Sequence, residues 1–254
     1  MEIKYNEQPT LLIGLGGFGS RIVDKVYSRV KEKNTTVPFS IDTDVNGCFE
    51  LNHIPKGNII NISTSSNVIS LLNVLEGAKD WFPITPLLHQ KVITEGAGQI
   101  RAVSRLAFEY ALIHNRFQGL LDSAYKLASD CSKNNCRMRV DIVTSLTGGT
   151  GAGIFLQVAL MIRKFITEHF PTLNLKIQGD FILPANFLFL PSTAEKRNME
   201  AIAYSSLKEL NAINEHFFNN TPALELKFDC DNNNIINHLP YDYCFLHDKV
   251  SKYT

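Results

Sequence analysis

The sequence has no surplus of charge of either sign. Its 25 lysines and arginines balance 25 aspartates and glutamates over 254 residues. A dedicated nucleic-acid or membrane-surface binder carries a basic excess, so the balance argues against both classes. It also removes the repulsion between copies, which eases self-association. Cysteine is scarce and odd in number: Cys48, Cys131, Cys136, Cys230 and Cys244, with no CxxC pair. That points away from a disulfide framework or zinc site and towards a reducing, cytoplasmic setting. The first ten residues, "MEIKYNEQPT", are polar and form no signal peptide. No apolar run approaches the ~20 residues of a membrane helix.

Several catalytic signatures are missing too. The seven histidines (His53, His89, His114, His169, His216, His238 and His247) include no HxxxH or HExxH spacing, which leaves no metal-ligand pattern. No GxSxG elbow occurs, so nothing marks a Ser/His/Asp hydrolase. No GxxxxGK[ST] occurs, so this is not a P-loop enzyme. The polar "DCDNNN" stretch fails EF-hand spacing and reads as a surface loop. Trp81, beside Phe82 and Pro83, reads as packing. Arg101 and Arg105, four apart, leave two readings open: a solvated helical face, or one arginine turned to a phosphate.

What is present is a regular alternation. "TLLIGL" (10–15) is a short apolar run that reads as a buried strand, and "SRIVDKVYSRVKEK" follows with helical spacing. "TVPFSIDTD" and "GNIINIS" read as the second and third strands. "SNVISLLNVLEGAKDWF" reads as a helix with Ser66 or Asn67 as its cap. Residues 99–129 form a long periodic segment, two helices or one bent one. "CRMRVDIVTSL" is a fourth strand, and "GIFLQVALMIRKFITEHF" a helix apolar enough to be buried on most sides. Within it Leu156, Val158, Leu160, Met161 and Phe165 are core. "NLKIQGDFILP" is a fifth strand, residues 193–218 a helix, "CDNNNIINHLP" irregular, and "YDYCFLHD" a last short strand. Strands alternating with helices predict an α/β fold, a Rossmann-like mostly parallel sheet flanked by helices on both faces. No repeat or linker splits residues 1–254. A parallel sheet that stops at its last strand is the expectation for the N-terminal part of a longer protein.

Two glycine loops carry the chemistry. "GLGGFG" (Gly14 to Gly19) matches GxGxxG directly after the first strand, with Asp42 closing the second. Alone it fits a dinucleotide, another phosphate ligand or a structural turn. "TGGTGAG" (Thr147 to Gly153) lies between the fourth strand and its helix, and offers backbone N–H groups in a nest plus the Thr150 hydroxyl. A dinucleotide fold has no need of this second nest, whereas a nucleoside triphosphate uses both. With no P-loop lysine, charge neutralisation falls to Mg²⁺ and helix dipoles. A positive φ is the expectation at Gly149.

"GGTGAG" (Gly148 to Gly153) resembles the [SAG]GGTG[SA]G signature of the tubulin/FtsZ superfamily, with Thr147 where that pattern has a small residue. "GLGGFGSR" resembles its first phosphate loop, "FSIDTD" its strand-and-acid segment, and "GAGQIRAVSRLA" (Gly96 to Ala107) its third loop and helix. "FILPANFLFLPSTAEKRNMEAIAYSSLKEL" resembles its ribose loop and helix. "IGLGGFGSRIV" and "NMEAIAYSSLKEL" are most similar to divergent bacterial tubulin-like proteins. The resemblance spans residues 10 to 248, with the segments in family order. It implies a cytoplasmic GTP-binding protein, GTP/GDP with Mg²⁺ as cofactors, and GTP hydrolysis coupled to head-to-tail self-assembly in a homo-oligomer or filament. The charge balance and the short apolar runs already argue against a nucleic-acid or membrane partner.

By position, the resemblance brings Gly16, Gly17, Gly19 and Ser20 to the α/β-phosphates. It brings Gly96, Ala97 and Gly98 to the γ-phosphate, and Thr147, Gly148, Gly149, Thr150, Gly151 and Gly153 to the β/γ-phosphates. Asp42 and Asp44 would hold Mg²⁺ through water or touch the nucleoside. Glu195 and Arg197 would reach the ribose. His247 or Asp248 stands where the family has a base-contacting asparagine, a departure that bears on guanine specificity. The resemblance implies a central helix and a catalytic acidic loop that would follow Thr254, so no catalytic residue is assigned here and bound GTP is expected to persist unhydrolysed in residues 1–254 alone. Two other functions fit the same loops: a GTP-binding sensor or scaffold module that does not hydrolyse, and, from GxGxxG and Asp42 alone, an NAD-dependent oxidoreductase.

Overall fold

A computed structural model describes residues 8–83, 85–94, 96–187, 192–219 and 238–249. The first apolar run forms β1 (Thr10–Leu15), and the glycines after it open α1 (Gly16–Tyr27). Next come β2 (Thr36–Asp42), the short α2 (Val45–Phe49) and β3 (Ile59–Asn61). Then follow β4 (Thr64–Asn67), α3 (Val68–Val74), α4 (Pro86–His89) and β5 (Val92–Ile93). Helices α5 (Arg101–Ile113) and α6 (Gln118–Lys133) lead to β6 (Met138–Ser145) and α7 (Thr150–His169). The described chain closes with β7 (Leu175–Ile182), α8 (Thr193–Phe218) and β8 (Tyr243–His247).

Six strands form one sheet in the order β3-β2-β1-β6-β7-β8, and every neighbouring pair is parallel. Alternation along β1 shows how two helical layers are fed. Leu11, Ile13 and Leu15 enter the main core with α5, α6 and α7, while Leu12 joins Val23 of α1, Val143 and Ile182 in a smaller cluster on the other face.

Four local readings are refined. The helix expected over residues 66–82 is broken: β4 takes its start, Asn67 caps α3 by accepting from Ser70 N–H at 3.0 Å, and a 3₁₀ turn spans Glu76–Asp80. β4 and β5 pair antiparallel apart from the main sheet. The long periodic segment is two helices, parted where Asn115 takes φ 54°. Finally, α7 does reach membrane-spanning length, with 20 residues and mean hydropathy 1.2, but 72% of its apolar window is buried inside the protein. Its apolarity is that of a core helix packed on most sides. Most of "CDNNNIINHLP" lies outside the described residues.

Candidate functional site

In an open parallel sheet the crevice forms at the carboxyl ends of the strands, where successive connections leave in opposite directions. Here that point lies between β1 and β6. Leu15 is in register with Ile41 of β2 on one side and with Thr144 of β6 on the other, so the tips of three strands end side by side. A cleft of about 320 Å³ opens above them. Gly16 and Gly17, Gly96 to Gly98, and Thr147 to Gly151 line it, with Asp42 and Asp44 at the tip of β2.

The three loops fit against one another backbone to backbone. Gly16 has φ 68°, and a Cβ there would sit 3.1 Å from Gly151 N. In the middle loop Gly96, Gly98 and Gln99 all take positive φ (87°, 61° and 59°), which turns the chain sharply into α5. Gly149, expected in the same conformation, instead has φ −73°. Its need for glycine is steric: a Cβ would lie 2.9 Å from Ala97 Cβ and 3.0 Å from the backbone nitrogens of Gln99 and Ile100.

Helix ends supply the electrostatics. α1 and α7 both start at the cleft, and neither has a side-chain cap nor an acid in its first turn. Their first N–H groups are left to whatever lies in the cleft, each helix end favouring negative charge by roughly 0.3–1 kcal/mol. α3 and α8, by contrast, are closed by Asn67 and by a Ser192/Glu195 capping box.

At the centre the Thr43 and Thr150 hydroxyls meet at 2.7 Å, and Thr150 also bonds the Asp42 carboxylate. Asp42 Oδ1 accepts from Thr43 N–H at 2.7 Å and Asp44 N–H at 3.2 Å. Burial is the largest influence on Asp42 and raises its pKa above the usual carboxylate range, against these bonds. Its other oxygen faces Gly17 and Gly47. Among the described residues no cluster of three His, Cys, Asp or Glu side chains could hold a metal alone. The carboxylates present suit Mg²⁺ only if phosphate oxygens and water complete its shell. Thr147 ties its own turn, meeting Ser145 Oγ at 2.6 Å.

Other expected residues stand elsewhere. Gly19 seats α1 on the sheet, since a Cβ there would meet Val143 O at 2.2 Å. Ser20 is buried behind the loop and accepts from Ser40 Oγ at 2.7 Å. Gly153 lets α7 touch α5, where a Cβ would meet Arg101 O at 2.5 Å. Glu195 is engaged in the capping box, whose bonds from Ser192 hold its carboxyl below the usual range, and Arg197 is exposed. His247 Nε2 pairs with Asp180 Oδ1 at 2.8 Å, and Asp248 accepts from Lys249 N–H. None of these six residues, nor His247, lines the cleft.

Several residues line it that were not among the expected site residues, although they fall inside the segments quoted above. Phe18 and Phe187 meet edge to face at 4.6 Å, with Arg21 and Met199 beside them. Gln99 accepts from Asn198 of α8 at 2.6 Å. Just beyond, Arg101 donates to Ala152 O at 3.0 Å and pairs bidentately with Glu209 of α8. Lys91 lies against the middle loop, its Nζ 2.9 Å from where a Gly98 Cβ would stand.

The comparisons with known proteins agree with this architecture. CetZ1 from Haloferax volcanii, solved as a GDP-bound monomer, superposes with a TM-score of 0.51 at 18% identity, over 79% of this chain and 47% of its own. A GTPγS-form protofilament of TubZ from Bacillus thuringiensis serovar israelensis gives 0.51 at 16% identity, over 95% and 48%. The chain therefore spans about half the length of these relatives, and at such identities the likeness is one of fold. No curated protein matches the sequence. The profile described as "Tubulin like" matches residues 11–253, nearly the whole chain. A parallel α/β sheet, three ordered glycine loops at its carboxyl edge and that match together place the chain in the tubulin-like family.

Proposed function

We propose that the cleft binds GTP with Mg²⁺, and that in the full-length protein GTP hydrolysis drives head-to-tail self-assembly. The observation that carries the reading is the convergence of three backbone-lined loops and two uncapped helix N-termini on one cleft. Such a surface suits a run of phosphates, because it offers fixed N–H donors without a lysine. Gly16 and Gly17 would take the α/β end, Gly148 to Gly151 the β/γ end, and Gly96 to Gly98 the terminal phosphate. Asp42 and Asp44 would hold the metal through water. Chemistry at such a site is positioning and electrostatic stabilisation rather than covalent catalysis. Phe18 and Phe187, which line the cleft with Arg21 and Met199, would face the nucleoside.

Two similar folds were solved with GDP and in a GTPγS-form protofilament, which supports both the nucleotide and the assembly. A heterologous contact that does not close yields a filament. An NAD enzyme would have no use for the second glycine loop, Thr147 to Gly151, which lines the same cleft. Calorimetry with GTP, GDP and NAD tests the ligand: GTP binding is expected, and tight NAD binding without response to GTP overturns the reading. Ultracentrifugation and negative-stain microscopy of the full-length protein with and without GTP test assembly. Monomers under both conditions overturn that part.

A further inference from the structure

At the opposite end of β6 from the cleft, α6 stops in a Schellman motif. Lys133 is its last helical residue and Asn135 turns left-handed at φ 47°. Cys136 N–H bonds Cys131 O at 2.9 Å, and Asn135 N–H bonds Ser132 O at 3.3 Å. This motif brings the side chains of its first and last residues face to face, usually as an apolar contact. Here both are cysteines. The two thiols interact, and Cys131 Sγ lies 3.8 Å from Arg137 O. The backbone bond keeps the two residues close enough for the roughly 4.4–6.8 Å Cα separation of a disulfide. Both thiols are free, Cys131 wholly buried and Cys136 partly exposed. A pocket of about 160 Å³ reaches both, lined also by Asn135, Arg137, Thr172 and Asn174. β6 has eight residues, so this pocket lies about 26 Å along the strand from the glycine loops.

We propose that Cys131 and Cys136 are an oxidisable dithiol, closed to a disulfide by a small hydroperoxide and reopened by a dithiol reductant. The accessible Cys136 thiolate attacks the peroxide: an S–O bond forms, the O–O bond breaks, and hydroxide or alkoxide leaves, taking up a proton. Cys131 sulfur then attacks the Cys136 sulfenic acid. The S–S bond forms, the S–O bond breaks, and the Cys131 proton leaves with the hydroxyl as water. Two thiols are oxidised by two electrons and one peroxide is reduced. Reopening by a dithiol reverses the change at sulfur and oxidises the reductant to its own disulfide. The order of attack follows from accessibility. It agrees with burial and the Cys136 contact pushing the Cys131 thiol up to about 12. Cys48, buried near Asp42 and Asp44, has no second thiol beside it among the described residues.

The test uses the whole chain, reduced, exposed to hydrogen peroxide, then alkylated under denaturing conditions and mapped by mass spectrometry. The expected product is a 131–136 cross-linked peptide lighter by two hydrogens, in which both residues escape alkylation until a dithiol is added. Cys136→Ser should leave Cys131 fully alkylatable. Cys131→Ala should stall Cys136 as a sulfenic acid that dimedone captures. If wild-type Cys136 stays alkylatable, or passes to sulfinic acid without the cross-link, the proposal is wrong. The wild-type arm decides this even if a variant folds poorly.

Discussion

Replacing Gly151 with alanine separates what the glycine loop does for the fold from what it does for a ligand. Gly151 is buried in the first turn of α7, and a Cβ there would stand 1.9 Å from Thr144 Oγ1, 3.0 Å from Leu15 O and 3.2 Å from Ser145 O. Thr144 is fully buried, so its stiff side chain has nowhere to retreat. Overpacking of this kind costs about 1–3 kcal/mol. With the worst contact so short we take about 3. Alanine recovers up to about 1 kcal/mol in helix propensity. The net expectation is a loss of about 2 kcal/mol with no nucleotide present. Thr144→Ala alone costs about 1 kcal/mol, because its bonds to Leu15 O and Ser145 O are long, 3.3 and 3.4 Å. In the double variant the worst clash is gone, so the two losses should fall short of additive by at least about 1 kcal/mol. Urea unfolding of all four proteins, followed by circular dichroism, measures this cycle. Wild-type stability for Gly151→Ala, or additivity within about 0.5 kcal/mol, would refute the steric argument.

Gly148 makes the contrast. A Cβ there meets nothing within 4 Å, yet the residue lines the cleft. Gly148→Ala should keep stability within about 0.5 kcal/mol and still weaken GTP binding at least about tenfold by calorimetry. Thr150→Ala removes a partner from both Thr43 and Asp42, and should lower the unfolding free energy by about 1 kcal/mol. Asp242 accepts from Arg163 at 2.7 Å, Ile177 N–H at 2.8 Å and Lys176 at 3.1 Å. Burial works to raise its pKa, but those bonds outweigh it and hold the carboxyl below its ordinary 3.8. A depressed pKa means stability that is present above 3.8 and lost as pH falls through the folded value. Asp242→Asn should therefore cost about 2 kcal/mol at pH 7, with the gap to wild type closing in acid denaturation below about pH 4.

The sheet was legible because buried parallel strands are apolar runs and each is followed by a periodic helix. Leu11, Ile13, Phe39, Val140 and Ile177 announce it by composition alone. β4 was not legible: Thr64 to Asn67 is "TSSN", polar and short, and pairs only because β5 returns beside it. The break after α3 was hidden for a related reason, since Leu75 and Ala78 keep a helical apolar rhythm while the backbone leaves it. In the site, glycine spacing pointed to the loops but not to each glycine's task. Gly19 and Gly153 belong to helix packing, and Gly149 owes its identity to a neighbouring loop 50 residues away rather than to its own φ. Phe18, Arg21, Phe187 and Met199 carry no spacing signal, because only the fold brings them together.

The middle loop has little slack. Gly149 fills the space on one side of it, Gln99 is tied to Asn198, and Arg101 is tied to Glu209. Both ties end on α8, whose 26 residues make a rod about 39 Å long. Displacing Gly96 to Gly98 therefore works against both ties to α8. The ties meet α8 at Asn198 and Glu209, eleven residues apart, so the helix clamps the loop along about 16 Å of its length.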